Sequence, residues 1–273
     1  MADHGNDPER EPQSVRELTV RLRVLEFHAV HHCNLVCEGC SHFAPDAPRQ
    51  HVDATRFRDS VAAAAERLRP TWVHLMGGEP LLHPHLCQLL IDLQLGFPDA
   101  VRKVVTNGTL MAGAAECIYN TLAATDTVVA VSVYPNVTIR SGVIEARCRS
   151  HGIALELLEQ FTFLDFLDLT GQSDPLEARL NCPMEGAANV RDDTLFPCPV
   201  TAWGQFVGLP TGPAEGVPLS AAVSELAWLL SRRRITSCCR FCRPRPARFP
   251  HRQRLTARHS DRLSQLPDDK RRR

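Results

Sequence analysis

The chain has 273 residues and is 44% hydrophobic, enough for one large domain, or one domain with a small appendage, around a sizeable core. No run approaches the ~18 apolar residues of a membrane helix, and the polar residues 1–11 lack a signal core, so a cytoplasmic protein with no membrane partner is expected. The formal charge is zero, yet residues 240–273 carry twelve Lys and Arg against three Asp and Glu, a net of +9 that leaves −9 on the rest; no aromatic interleaving accompanies the basic end, so a nucleic-acid partner is not expected, and the acidic body suits a small cationic substrate.

Residues 1–19 read as a flexible leader. Alternation over 20–30 predicts a first strand. Asp53 can cap a helix reaching Arg69 through the helix-prone run Val61-Ala62-Ala63-Ala64-Ala65. Then follow strand 71–76, helix 82–95, strand 101–106, helix 111–124, strand 127–134, helix 141–151 and strand 153–159. Strands alternating with helices predict an α/β fold with right-handed crossovers: a partial parallel (β/α) barrel of about six βα units over 20–175. Sites in such folds form at the carboxyl ends of the strands. After a turn-rich break at 171–175 the pattern changes. A hairpin over 188–198 with Asp192-Asp193 at its turn and a helix over 220–230 predict a small C-terminal domain over 176–243. Residues 244–273, with Pro244, Pro246, Pro250 and Pro267, read as a basic, solvated, partly disordered tail.

Eleven cysteines in a reducing compartment argue for metal clusters rather than disulfides. Cys33, Cys37 and Cys40 bring three thiolates into one loop just after the first predicted strand. Iron–sulfur clusters are normally held by four thiolates, so three leave one iron open to a small molecule. A structural zinc site is the alternative, although zinc usually takes paired Cys-x2-Cys or Cys/His sets. Met76-Gly77-Gly78-Glu79-Pro80 ends the apolar run 71–75, and Lys103-Val104-Val105-Thr106-Asn107-Gly108 ends another predicted strand.

Together these segments resemble the radical S-adenosylmethionine (radical SAM) superfamily. The resemblance implies a [4Fe-4S] cluster on Cys33, Cys37 and Cys40, with S-adenosylmethionine on its open iron. It implies that Gly77, Gly78, Glu79 and Pro80 receive the methionine amino group, with Glu79 accepting the ammonium. It also implies that Thr106 and Asn107 approach the cofactor, that Ser132 contacts its ribose, and that Tyr134 and Arg140 are candidates for substrate contact. The sequence departs from the family at Gly39, where an aromatic residue commonly packs on the adenine; Phe43 is the candidate substitute. His31, His32 and His42 are expected to shape the loop rather than to ligate.

Cys182, Cys198, Cys239 and Cys242 form a second set. A hairpin flanked by cysteines, a helix and a closing Cys-x2-Cys resemble the twitch domain, the short form of the SPASM extension, which implies a second [4Fe-4S] cluster. A four-cysteine zinc ribbon has similar spacing and stays open. Cys238 makes five thiols for four positions. Either Cys182 or Cys238 is then spare and a candidate hydrogen-atom donor; if Cys182 is the donor, Cys238 becomes a ligand. Cys182 is expected close to the mouth of the barrel. Cys87, Cys117 and Cys148 are expected to pack on apolar faces.

Small enzymes of this subgroup resemble the epimerases and alcohol dehydrogenases of aminoglycoside antibiotic pathways. The leading expectation is an epimerase inverting a carbinol stereocentre of an aminoglycoside or aminocyclitol, with a thiol returning the hydrogen atom. Next come a dehydrogenase on the same class and a peptide-modifying maturase. A flavodoxin or ferredoxin is the expected electron donor. An iron–sulfur electron carrier or zinc-stabilised binding module is the non-enzymatic reading.

Overall fold

Alternate side chains of the first strand serve two different faces, and that division organises the molecule. In a computed structural model, which describes residues 19–254 except 212 and 232, β1 runs Val20–Val30. Leu25, Phe27 and Ala29 enter the main core, while Glu26 and His28 between them serve the opposite face. The Asp53 carboxylate accepts Thr55 N and Arg56 N, both at 3.0 Å, and opens α1, Ala54–Arg67. The chain continues through β2 (Leu68–Gly77), α2 (Leu86–Gly96), β3 (Val101–Thr106), α3 (Glu116–Ala124), β4 (Val128–Val133), α4 (Ser141–Ser150) and β5 (Leu155–Glu159). Neighbouring strands β1 to β5 pair in parallel, as the alternating pattern predicts. Val61, Ala64, Leu89, Leu93, Tyr119 and Ile144 from the helices cover Leu75, Val104, Val129 and Val131 from the strands.

Two predicted helices begin later than expected. Residues 80–82 and 111–113 form single 3-10 turns before α2 and α3. Pro84 breaks the first, because the residue before a proline avoids helical backbone.

Beyond residue 160 the organisation departs from expectation. An additional strand, β6 (Thr162–Leu167), leaves the sheet. After α5, Pro175–Leu180, the expected hairpin forms as β7 (Ala187–Arg191) and β8 (Thr194–Phe196), with Asp192 and Asp193 at positive φ in its turn. The hairpin does not stand in a separate unit. β7 pairs in parallel with β1, aligning Val24 with Ala187 and Phe27 with Val190. With β8 and β9 (Val217–Pro218) it completes an eight-stranded sheet in the order β5-β4-β3-β2-β1-β7-β8-β9. An uncovered β1 would present a row of unpaired backbone groups, so the hairpin seals that edge. The C-terminal region does own a second core, built by Phe43, Phe166, Phe196, Val200, Trp203, Leu209, Cys238 and Phe241. α6 (Pro199–Trp203) and α7 (Val223–Leu230) belong to the same region, the latter starting three residues after the expected helix.

The expected solvated tail needs correction where it is described. Cys242–Pro250 is a strand, β10, antiparallel to β6, with Leu167 opposite Cys242 and Thr162 opposite Pro250. Pro244 and Pro246 are accommodated at a register irregularity between Cys242 and Ala247, where no ladder donor is needed. Residues 1–18 of the leader and 255–273 of the tail lie outside the described residues. Among the described residues no helix is long and apolar enough to cross a membrane.

Candidate functional site

The first cysteine loop is rooted by backbone hydrogen bonds at the carboxyl edge of the sheet. His31 N donates to Gln50 O at 3.0 Å, Gly78 N to Val30 O at 2.9 Å, and Glu79 N to His32 O at 3.1 Å. The Gly77-Gly78 pair lets the end of β2 lie directly on the loop. A Cβ at Gly78 would sit 1.7 Å from His32 O, and one at Gly77 2.1 Å from Val30 O.

Glu79 has no exposed surface. Its Oε1 accepts Thr106 Oγ1 at 2.7 Å and Leu81 N at 3.2 Å, and its Oε2 accepts Asn107 N at 2.8 Å. Burial pushes its pKa up to about 7, against those three donors. The carboxylate thus ties the end of β2 to the end of β3. Asn107 Nδ2 donates to Asn34 Oδ1 at 2.8 Å and to Cys33 Sγ at 3.5 Å. Asn34 in turn donates to Thr109 Oγ1 at 2.7 Å. Asn34 and Thr109 carried no sequence signal.

Ser132 is hydrogen-bonded to Tyr134, whose phenol feels all three loop cysteines and is held protonated by burial. Tyr134 thus belongs to the wall of the cysteine loop. Arg140 stands where α4 starts, its carbonyl accepting Val143 N and Ile144 N. Phe43 is 2% exposed and packs with Phe166 in the second core, which removes it as the adenine platform. The space over Gly39 is taken by Phe249 of β10, whose Cζ would lie 2.7 Å from a Cβ there.

Burial pushes the Cys33 thiol up to about 12 and Cys37 to about 11, and raises Cys40 as well. These thiols ionise when a cation replaces their protons, as metal-binding thiols do. Among the described residues no three His, Cys, Asp or Glu side chains converge on one ion-sized point. A cubane needs no such convergence, because each thiolate takes its own iron. Three thiols on one loop, each able to take its own iron, fit such a cluster.

All five thiols of the second set, Cys182, Cys198, Cys238, Cys239 and Cys242, line one cavity of about 180 Å³. Burial raises Cys182, Cys238 and Cys242, and lifts Cys198 to about 11. Arg21, Arg23, Arg179 and Arg234 line the same cavity and can offset the charge of several thiolates. These residues also fit a cluster. The cavity is not at the barrel mouth. Arg21 and Arg23 start β1, and Arg23 Nη2 donates to Glu185 O at 3.3 Å. The first loop leaves the other end of that strand, a separation of roughly 20 Å at 3.3 Å per residue. Cys182 lies in the turn before β7, which pairs with Val24–Phe27 in the middle of β1, and it lines this cavity with Arg21 and Arg23. Cys148 is buried in the main core as expected, Cys87 is half-buried, and Cys117 is exposed rather than packed.

A polar network behind the loop was also not legible. Glu26 accepts from Asn189 Nδ2 at 3.0 Å and meets His42 Nε2 at 3.1 Å; Trp203 Nε1 donates to Asn189 Oδ1 at 2.8 Å. Burial opposes ionisation of Glu26, but His42 and His74 outweigh it and hold its pKa at about 2. His42 thus braces the base of the loop, and His31 packs against Trp203 and Phe206. His28 stacks on Trp203 at 3.7 Å, with burial driving its pKa well below 6.5. The unfolded chain then binds the extra proton, so the stability from neutral His28 is complete above pH 6.5 and is lost as pH falls below it. The denaturation midpoint of the cluster-free chain is expected to drop between about pH 7.5 and about pH 5, and His28→Phe to flatten that drop. Equal pH slopes in urea titrations of the two proteins refute this assignment.

No protein-family model matches the sequence, and no curated protein matches it. Among solved structures, BtrN in complex with AdoMet and 2-DOIA is 15% identical with a TM-score of 0.48, covering 77% of this chain and 81% of that one. Streptococcus suis SuiB bound to S-adenosylmethionine is 10% identical with a TM-score of 0.40, covering 78% and 67%. His-tagged anSMEcpe with bound AdoMet is 16% identical with a TM-score of 0.39, and the match spans 43% of its length. Likeness at this level carries no functional argument, so the site rests on its own residues.

Proposed function

We propose that the chain is a radical S-adenosylmethionine enzyme acting on a secondary alcohol carbon of a small amine-bearing sugar or cyclitol. One observation carries the reading: three thiols on one loop at the carboxyl edge of a parallel sheet, Cys37 buried and Cys33 and Cys40 half-buried, with the Gly77-Gly78 close approach and Asn107 converging on the same loop. Cys33, Cys37 and Cys40 are the residues to hold the first cluster, and four of the five cavity cysteines the second. When bound, the first cluster with S-adenosylmethionine supplies one-electron cleavage and an alkyl radical that removes hydrogen from carbon. The chain's own part is to bind, orient and exclude water. Glu79 fixes the ends of β2 and β3 against the loop, Asn107 orients Cys33, and Tyr134 with Phe249 walls off the thiols.

The position of the second cysteine set favours oxidation of the alcohol over its inversion. A thiol that returns a hydrogen atom must touch the carbon, and Cys182 and Cys238 line a cavity whose wall includes Arg21 and Arg23 at the start of β1, whereas the first cysteine loop follows its end. An electron can cross such a separation where a hydrogen atom cannot. Epimerisation remains the second reading, supported by the presence of a fifth thiol. An anaerobic assay against a panel of aminoglycosides and aminocyclitols tests both. A product two mass units lighter supports dehydrogenation. Unchanged mass with solvent deuterium at carbon supports epimerisation. Absence of 5′-deoxyadenosine from the reduced, reconstituted protein refutes the enzymatic proposal.

A further inference from the structure

Residues 251–254 turn off the end of β10 and lie antiparallel along the first cysteine loop. Glu38 N donates to Arg252 O at 3.0 Å and Arg254 N to Val36 O at 2.8 Å, while Cys37 and Gln253 form a β-bridge. Two ion pairs fasten this segment. Arg252 reaches both Glu38 oxygens, Nη2 lying 2.9 Å from Oε1, and Arg254 grips both Asp46 oxygens at 2.8 Å. Planar fork-to-fork pairing of this kind fixes geometry as well as charge.

Inside the clamp two side chains meet the same sulfur. His251 Nε2 is 3.3 Å from Cys37 Sγ, and Gln253 Nε2 is 3.4 Å from it. Gln253 is oriented by its other end, since Val36 N donates to its Oε1 at 2.7 Å; the amide nitrogen must then face the sulfur. His251 is 1% exposed and stacks on Tyr134 at 4.4 Å and 14°, which fixes its ring plane. Among the described residues its Nδ1 has no partner, while its Nε2 meets Cys37 Sγ and, at 3.4 Å, Gln253 Nε2. A thiolate only accepts, so both contacts become donor bonds once Cys37 is ionised.

We propose that His251 and Gln253 are positioning residues that set the reduction potential of the first cluster through paired hydrogen bonds to the Cys37 sulfur, with Arg252 and Arg254 holding them in place. This rests on the cluster reading above. Hydrogen bonds to cluster sulfurs stabilise the more negative, reduced form and raise the potential. The clamp makes Cys37 the better-donated thiol on the side facing β10.

The test uses the full chain, anaerobically reconstituted, and follows the electron paramagnetic resonance signal that shifts on adding S-adenosylmethionine. Gln253→Glu keeps an acceptor for Val36 N but removes the donor to sulfur; His251→Phe keeps the stack but removes the other. Each is expected to shift the midpoint potential to more negative values, the double variant further than either, and His251→Gln to recover part of the shift. A wild-type signal whose potential neither variant moves overturns this inference alone. A wild-type protein with no such signal overturns the cluster reading and this inference with it. A second measurement needs no cluster. In the unreconstituted chain, Arg252→Ala with Arg254→Ala is expected to speed alkylation of Cys37 several-fold relative to exposed Cys117, and an unchanged ratio overturns the clamp.

Discussion

Alanine at Cys33, Cys37 and Cys40 together is expected to abolish 5′-deoxyadenosine release while leaving a folded protein that still loads its second cysteine set. Iron should fall from about eight to about four per chain, one cubane lost and one kept. The fold should survive because the loop is held by its backbone: Gln50 O, Arg252 O and the hydrogen bonds of Gly78 and Glu79 do not involve the thiols. The second set is expected to load independently because its five cysteines line a cavity that none of the three loop cysteines lines. Iron analysis, circular dichroism and product chromatography on one preparation read all three. Persistent 5′-deoxyadenosine release would falsify the assignment of the first loop. Loss of all iron with an intact fold would mean that the two sets do not load separately.

Much of this arrangement is legible because it is local. Period-two alternation along 20–30, the Asp53 cap and the Asp192-Asp193 turn each act over a few residues, and each appears where the sequence puts it. The cysteine loop and the Gly-Gly-Glu-Pro run are legible for the same reason. What escaped depends on long-range pairing. Nothing in the composition of 242–250, rich in Arg and Pro, announces a strand; it becomes one because β6 leaves the main sheet and offers an edge. His251, Gln253 and Arg254 reach the loop only through that pairing, more than two hundred residues away along the chain. Glu79 carries a further contact set that its sequence position does not announce. A carboxylate beside a cofactor segment reads as an acceptor; its hydrogen bonds to Thr106 and Asn107, which brace β2 against β3, come from a strand about thirty residues on and are not legible locally. The surroundings of Cys182 were not legible for a topological reason: β7 joins β1 instead of starting a separate unit, which places the cysteine before it in a cavity with Arg21 and Arg23.

Gly78→Ala should be nearly as damaging as loss of the thiols, through a different cause. Its Cβ would lie 1.7 Å from His32 O, 2.1 Å from His32 C and 2.7 Å from Cys33 N. All three are backbone atoms, so no side chain can swing aside, and the end of β2 must separate from the loop. That separation breaks Gly78 N to Val30 O and Glu79 N to His32 O, the bonds that hold the loop root to the sheet. Overpacking a rigid contact of this kind costs about 3 kcal/mol. Gly113→Ala is the control, with nothing within 4 Å of the added carbon. In urea titrations of the cluster-free chain, G78A is expected to lower the midpoint clearly and G113A hardly at all. After reconstitution, G78A is expected to lose the S-adenosylmethionine-responsive signal while keeping the second cluster, because the distortion is confined to the carboxyl edge. Equal stability and equal loading of the two variants would show that β2 and the cysteine loop do not make the close approach on which the whole site depends.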